Sequence, residues 1–178
     1  MKNDNTLTIH PGIWSKWHIK TTLLALVASV VFPFLIHLIP PVQGTPVGAI
    51  LLAMFYAPFI AVLVSRLHVG LIVALVAPIL NSLITGHPNW SIVPILTIEL
   101  TLFVSVVYLI NKQNNKIKWL SAPIAYLVVK TISAALILLF PVLLNVQPAD
   151  FWINSISNGV IGIVVLTIIN ILIIKFKS

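Results

Sequence analysis

Apolar and polar positions alternate along the chain in long blocks rather than in the short periods of a soluble domain. Six apolar runs cover about 19–39, 47–64, 69–85, 92–110, 121–144 and 152–174. A helix needs about 20 apolar residues, with a range of roughly 17–25, to cross the hydrocarbon of a bilayer. Helix breakers and polar groups stand between the runs: Pro40-Pro41, Ser65-Arg66, Gly86-His87-Pro88, the stretch NKQNNKIK and the stretch NVQPADF. Breakers at the ends of apolar runs mark helix ends. The pattern predicts an all-α integral membrane bundle of six transmembrane helices. It divides into a 1–18 N-terminal interfacial segment, with Ile13, Trp14 and Trp17 among Lys16 and Lys20, and a 19–178 transmembrane domain. The run after residue 18 is too long for the core of a cleaved signal peptide.

Composition excludes a water-soluble alternative. The 178 residues are 60% hydrophobic and only 7% charged, with a mean hydropathy of +1.13. A soluble surface cannot be built from so little charge. The formal charge of +7 invites a nucleic-acid reading, but its placement does not support one. Lys2, Lys16, Lys20, Arg66, Lys112, Lys116, Lys118, Lys175 and Lys177 all fall on one side of the predicted topology, and the loops of the other side have no Lys or Arg. The positive-inside rule then puts both termini in the cytoplasm of a multi-pass cell-membrane protein.

Polar chemistry collects on the other side and at depth. The outward loops and helix ends hold His37, Gln43, His87, Asn89, Trp90, Gln147, Asp150 and Trp152, while Asn81, Asn154 and Asn158 lie near the outer ends of their spans. Asn154 and Asn158 are four residues apart and share one helix face. Glu99 and Lys130 fall well inside the fourth and fifth runs. Each costs about 2.5–3.5 kcal/mol at the bilayer centre on insertion scales, so they either pair to lock two helices or face a solute cavity. Uncharged polar and aromatic groups around a bundle mouth suit an orienting pocket for a small solute. Tyr56, Trp90 and Trp152 suit a flat aromatic one, and Lys130 a carboxylate. Haem combines both features, with His37 or His87 as the iron ligand.

Catalytic signatures are missing. There is no Gly-x-Ser-x-Gly, His-Glu-x-x-His or nucleotide-binding glycine loop, and the acidic residues are only Asp4, Glu99 and Asp150. Cysteine is absent, so no thiolate site exists. The expectation is a non-enzyme with no required cofactor and no structural metal site.

Small residues mark close helix contacts: Ala25, Ala28 and Ser29 in the first run, and Ala49, Ala53, Ala57 and Ala61 at four-residue spacing in the second. Together with the loop LIPPVQGTPVG, the polar outer half of the last run and the stretch from Pro46 to Gly86, they give the chain a resemblance. It resembles the substrate-binding S component of an energy-coupling factor (ECF) transporter over nearly its whole length. Nickel and cobalt members open with Met-His, whereas this chain opens Met1-Lys2-Asn3-Asp4. The resemblance implies capture of a scarce vitamin-like or cofactor-like solute at the outer face. His37 to Gly48, including Gln43, then form a lid. Ala25, Ala28, Ser29, Ala49, Ala53 and Ala57 then dock on a transmembrane coupling subunit driven by two cytoplasmic ATPases. The alternative is a stand-alone secondary transporter or channel for a small solute.

Overall fold

A computed structural model describes residues 16–42, 44–113, 116–141 and 146–177. The chain is all-helical: α1 (Lys16–His37), α2 (Val47–Ile50), α3 (Ala53–Val64), α4 (Leu67–Thr85), α5 (Val93–Lys112), α6 (Ser121–Leu139) and α7 (Pro148–Lys177), with a 3₁₀ turn at Lys116–Leu120 before α6. There is no strand among the described residues; one isolated bridge pairs Val42 with Thr45. Counting α2 with α3, six segments are long and apolar enough to span a bilayer. Six crossings bring the start of α1 and the end of α7 to the same end as Arg66, Lys112 and Lys118, called here the basic end.

The observed ends differ from the sequence expectation in two informative places. Helix α1 starts at Lys16, so Trp17 and His18 are helical and continuous with the first apolar run; residues 1–15 lie outside the described residues. Helix α7 is 30 residues long, about 45 Å at 1.5 Å per residue, because Pro148 suits a first helical turn and nothing later breaks it. Gly86 ends α4 with φ of 74° and donates its N–H to the Ser82 carbonyl at 3.1 Å, a left-handed cap that glycine adopts without strain.

The second span is broken. Leu52 has φ of 55° and ψ of 42°, a left-handed conformation unusual for a leucine, and it separates α2 from α3. The break docks on α7: a Cβ at Gly162 would lie 2.5 Å from Leu52 Cγ and 2.6 Å from the Leu51 carbonyl carbon. Only glycine lets the two backbones come so close. The Tyr56 hydroxyl donates to the Leu51 carbonyl, supplying a partner to an acceptor the break leaves without a helical one.

Proline is handled in a similar way. Pro33 lies inside α1 and has no N–H for the Ser29 carbonyl, four residues earlier. Asn81 Nδ2, fully buried on α4, donates to that carbonyl at 2.7 Å and to the Ala77 carbonyl at 2.9 Å. A neighbouring side chain thus satisfies the freed group, as an apolar solvent requires.

Helix α3 is central and touches α1, α2, α4, α5 and α7, whereas α1 and α7 do not touch each other. Towards the basic end the core is solid: Phe59, Phe103, Val104, Val107, Val129 and Leu166 are completely buried in one cluster. A smaller cluster of Ala57, Ala61, Val69, Val73 and Ala77 closes α3 on α4, with Ala25 and Leu26 of α1 packed against it.

Candidate solute-binding cavity

Towards the opposite end the bundle is hollow. A cavity of about 910 Å³ lies between the ends of α1, α5, α6 and α7 and the broken second span. It falls within the roughly 300–1,000 Å³ range of small-molecule sites. Its walls differ. Helix α7 presents Asp150, Phe151, Asn154, Ser155 and Asn158, whose spacings of three and four place them on one helical face, and Gln147 lines the cavity just ahead of it. Leu52, Ala53 and Met54 at the break beside α7, and Ile92, Ile95 and Leu96 at the start of α5, supply apolar lining.

The floor is an ion pair. Lys130 Nζ donates to both Glu99 carboxylate oxygens, at 2.7 and 2.8 Å, and the residues are only 7% and 3% exposed. The ammonium also sits 5.6 Å from the Tyr126 ring centre and 5.0 Å from that of Phe151. Aromatic faces stabilise a cation without adding charge, so the floor is net neutral and both charges are held. Tyr126 is fixed by its hydroxyl, which donates to the Ser155 carbonyl at 2.8 Å; a Cβ at Gly159 would lie 2.8 Å from the Tyr126 hydroxyl oxygen. Phe55 meets the same ring edge-on at 5.6 Å.

The mouth is marked by His37 and His87, stacked with ring centres 5.0 Å apart and 29° between planes. A Cβ on Gly48 would lie 3.3 Å from His37 Cε1, so a glycine at the start of α2 lets that imidazole lie flat on it. The amides of Ala53 and Met54, the first of α3, belong to lining residues and have no preceding helical carbonyl to donate to.

Of the candidate solute-binding residues, His37, His87, Glu99, Lys130, Asn154 and Asn158 line this one cavity. Gln43 lies outside the described residues. Tyr56 and Asn81 are buried and do not line it; their polar atoms serve the Leu51 and Ser29 carbonyls. Trp90 is 57% exposed and stands clear of the cavity, and Trp152 Nε1 donates to Thr131 Oγ1 at 3.2 Å, tying α7 to α6. Of the small residues suggested for partner docking, Ser29, Ala53 and Ala57 are buried inside the bundle. Ala25 packs against the α3–α4 cluster, Ala49 and Ala53 line the cavity, and Ala28 is exposed.

Three cavity residues outside the candidate set, Tyr126, Asp150 and Phe151, carry a signal in the sequence. Asp150 stands four residues before Asn154 and extends its face; Phe151 is one residue further on. Tyr126 is four residues before Lys130, on the same side of a helix, and Phe55 has no comparable signal. Among the described residues no cluster of three or more metal-ligating side chains occurs. The chain matches no family model, no curated protein and no solved structure.

Proposed function

We propose that this protein captures a small amphipathic solute in the cavity, as the substrate-binding subunit of an ECF-type importer. The observation that carries the reading is a cavity lined by a polar face of α7 and by apolar side chains of α3 and α5 above a buried, neutral ion pair, inside a six-span membrane bundle. The solute presents a flat apolar body to Leu52, Ile95 and Leu96 and a hydrogen-bonding edge to Asp150, Asn154 and Asn158. An anionic end meets the first amides of α3, where the helix dipole favours it. The lysine distribution turns the mouth outward from the cytoplasm, and release inside requires the coupling subunit and two ATPases. Haem is one such solute: the stacked rings, 5.0 Å apart, leave no room for an iron between them, so His37 or His87 acts alone as its ligand.

One observation favours a second reading. Broken spans bordering a mid-membrane site are a recurrent feature of secondary transporters, and the α2–α3 break borders this cavity. Affinity purification from native membranes separates the two. Co-purifying ATPases support the importer subunit; uptake by the protein alone in proteoliposomes supports the stand-alone transporter. Adding haem to the purified protein tests the specific solute, since an unshifted Soret band removes it.

A further inference from the structure

A second hollow, of about 350 Å³, opens at the basic end between the last turns of α3, α5 and α7 and the 3₁₀ turn. Val62, Leu63, Ile173 and Ile174 give it an apolar wall, and Tyr108, Asn111, Lys112 and Lys118 a polar rim. Two side-chain amides fix that rim. Asn170, fully buried on α7, donates through Nδ2 to the Lys118 carbonyl at 2.9 Å and the Trp119 carbonyl at 3.0 Å. Asn111 Nδ2 donates to the Ser121 hydroxyl at 3.0 Å. The turn is therefore pinned to α7, and the first residue of α6, directly after it, to α5; Lys112 and Lys118 line the same hollow.

These lysines have no carboxylate to pair with among the described residues: Glu99 is held by Lys130, and Asp150 lines the cavity at the far end. The C-termini of α3, α5 and α7 each carry about half a negative charge here, which the two full positive charges outweigh. Apolar wall and cationic rim together suit an anion that carries a hydrocarbon tail.

We propose that this hollow binds one anionic glycerophospholipid. Its phosphodiester lies between the Lys112 and Lys118 ammoniums and the Tyr108 hydroxyl, and its acyl chains run along Leu63, Ile173 and Ile174. Basic pockets between membrane helices bind lipid headgroups in this manner. A free phosphate gains only the rim, and a zwitterionic lipid sets a cation of its own against the lysines.

Native mass spectrometry of the full chain in detergent tests the site, titrating phosphatidylglycerol, phosphatidylcholine of the same chains, or glycerol phosphate. One phosphatidylglycerol is retained in preference to the other two. Lys112→Gln and Lys118→Gln each weaken its binding about fivefold, and the double variant about thirtyfold. Ile173→Trp, which fills the hollow at unchanged charge, also releases the lipid. Lys16→Gln/Lys20→Gln removes the same charge outside the hollow and leaves binding unchanged. The proposal is overturned by equal retention of phosphatidylcholine, by glycerol phosphate competing as well as the lipid, or by wild-type binding in the double variant. Retention in Ile173→Trp, or an equal loss in the control pair, also overturns it.

Discussion

The two halves of the bundle are built from the same helices and differ in what the helices do. Towards the basic end α3, α5, α6 and α7 run unbroken and pack Phe59, Phe103, Val107 and Leu166 into a fully buried core. Towards the mouth the second span breaks, and the space left between α1, α5, α6 and α7 is lined by charged and amide side chains. The comparison teaches that the hollow is not loose packing. Each irregularity around it has a dedicated partner: Tyr56 for the Leu51 carbonyl, Gly162 for the break, Asn81 for the Ser29 carbonyl, and Lys130 for Glu99.

Removing one charge from the floor has the largest expected effect on the hollow half. Glu99→Gln or Lys130→Met alone leaves its partner buried and unpaired, and destabilises the protein by about 3–5 kcal/mol. The double variant Glu99→Leu/Lys130→Met costs less than either single change, because no uncompensated charge remains. Denaturation in detergent measures all three. A double variant that is as unstable as the worse single one means that the pair is not mutually satisfied.

Gly162→Ala comes next. Its new Cβ meets backbone at Leu51, which cannot rotate away, so the break shifts at a cost of about 1–3 kcal/mol. Solute capture falls with it, since Leu52 and Ala53 line the cavity. Gly70→Ala is the counterpart in the solid half: its Cβ would lie 2.7 Å from Val62 Cβ, and it lowers stability without changing solute affinity. Equal loss of affinity in both variants would erase the distinction between the halves.

Asn81→Ala leaves the Ser29 carbonyl unsatisfied and costs about 1–3 kcal/mol. Adding Pro33→Ala returns an N–H to α1 four residues after Ser29, so the double variant recovers most of that loss in the same assay. The smallest effect belongs to Trp90→Ala, which changes stability by no more than about 0.5 kcal/mol, being 57% exposed and outside the cavity.

The layout of spans was legible in the sequence because it rests on long apolar runs and on breakers such as Pro40-Pro41 and Gly86. The pairing of Glu99 with Lys130 was legible as one of two readings, since charge at that depth has few other outcomes. The geometry adds to both readings: the two residues pair and also border the cavity. The break was not legible. The residues Ile50-Leu51-Leu52-Ala53 contain no glycine or proline, and the cause is a tertiary contact with Gly162 on a distant helix. For the same reason the four-residue ladder from Ala49 to Ala57 is not one continuous stripe: the break falls between Ala49 and Ala53. Asn81 and Tyr56 looked like polar groups awaiting a ligand. Their partners are backbone carbonyls released by Pro33 and by the break, and no periodicity reports those.

The absence of cysteine makes the central claim directly measurable, because each introduced thiol is the only one in the chain. Asn154→Cys on the cavity wall and Val107→Cys in the solid core are each exposed to a membrane-impermeant maleimide added outside intact cells. The account predicts rapid labelling at position 154, slowed by bound solute, and none at position 107. A position 154 thiol that stays unlabelled until the membrane is dissolved would contradict it.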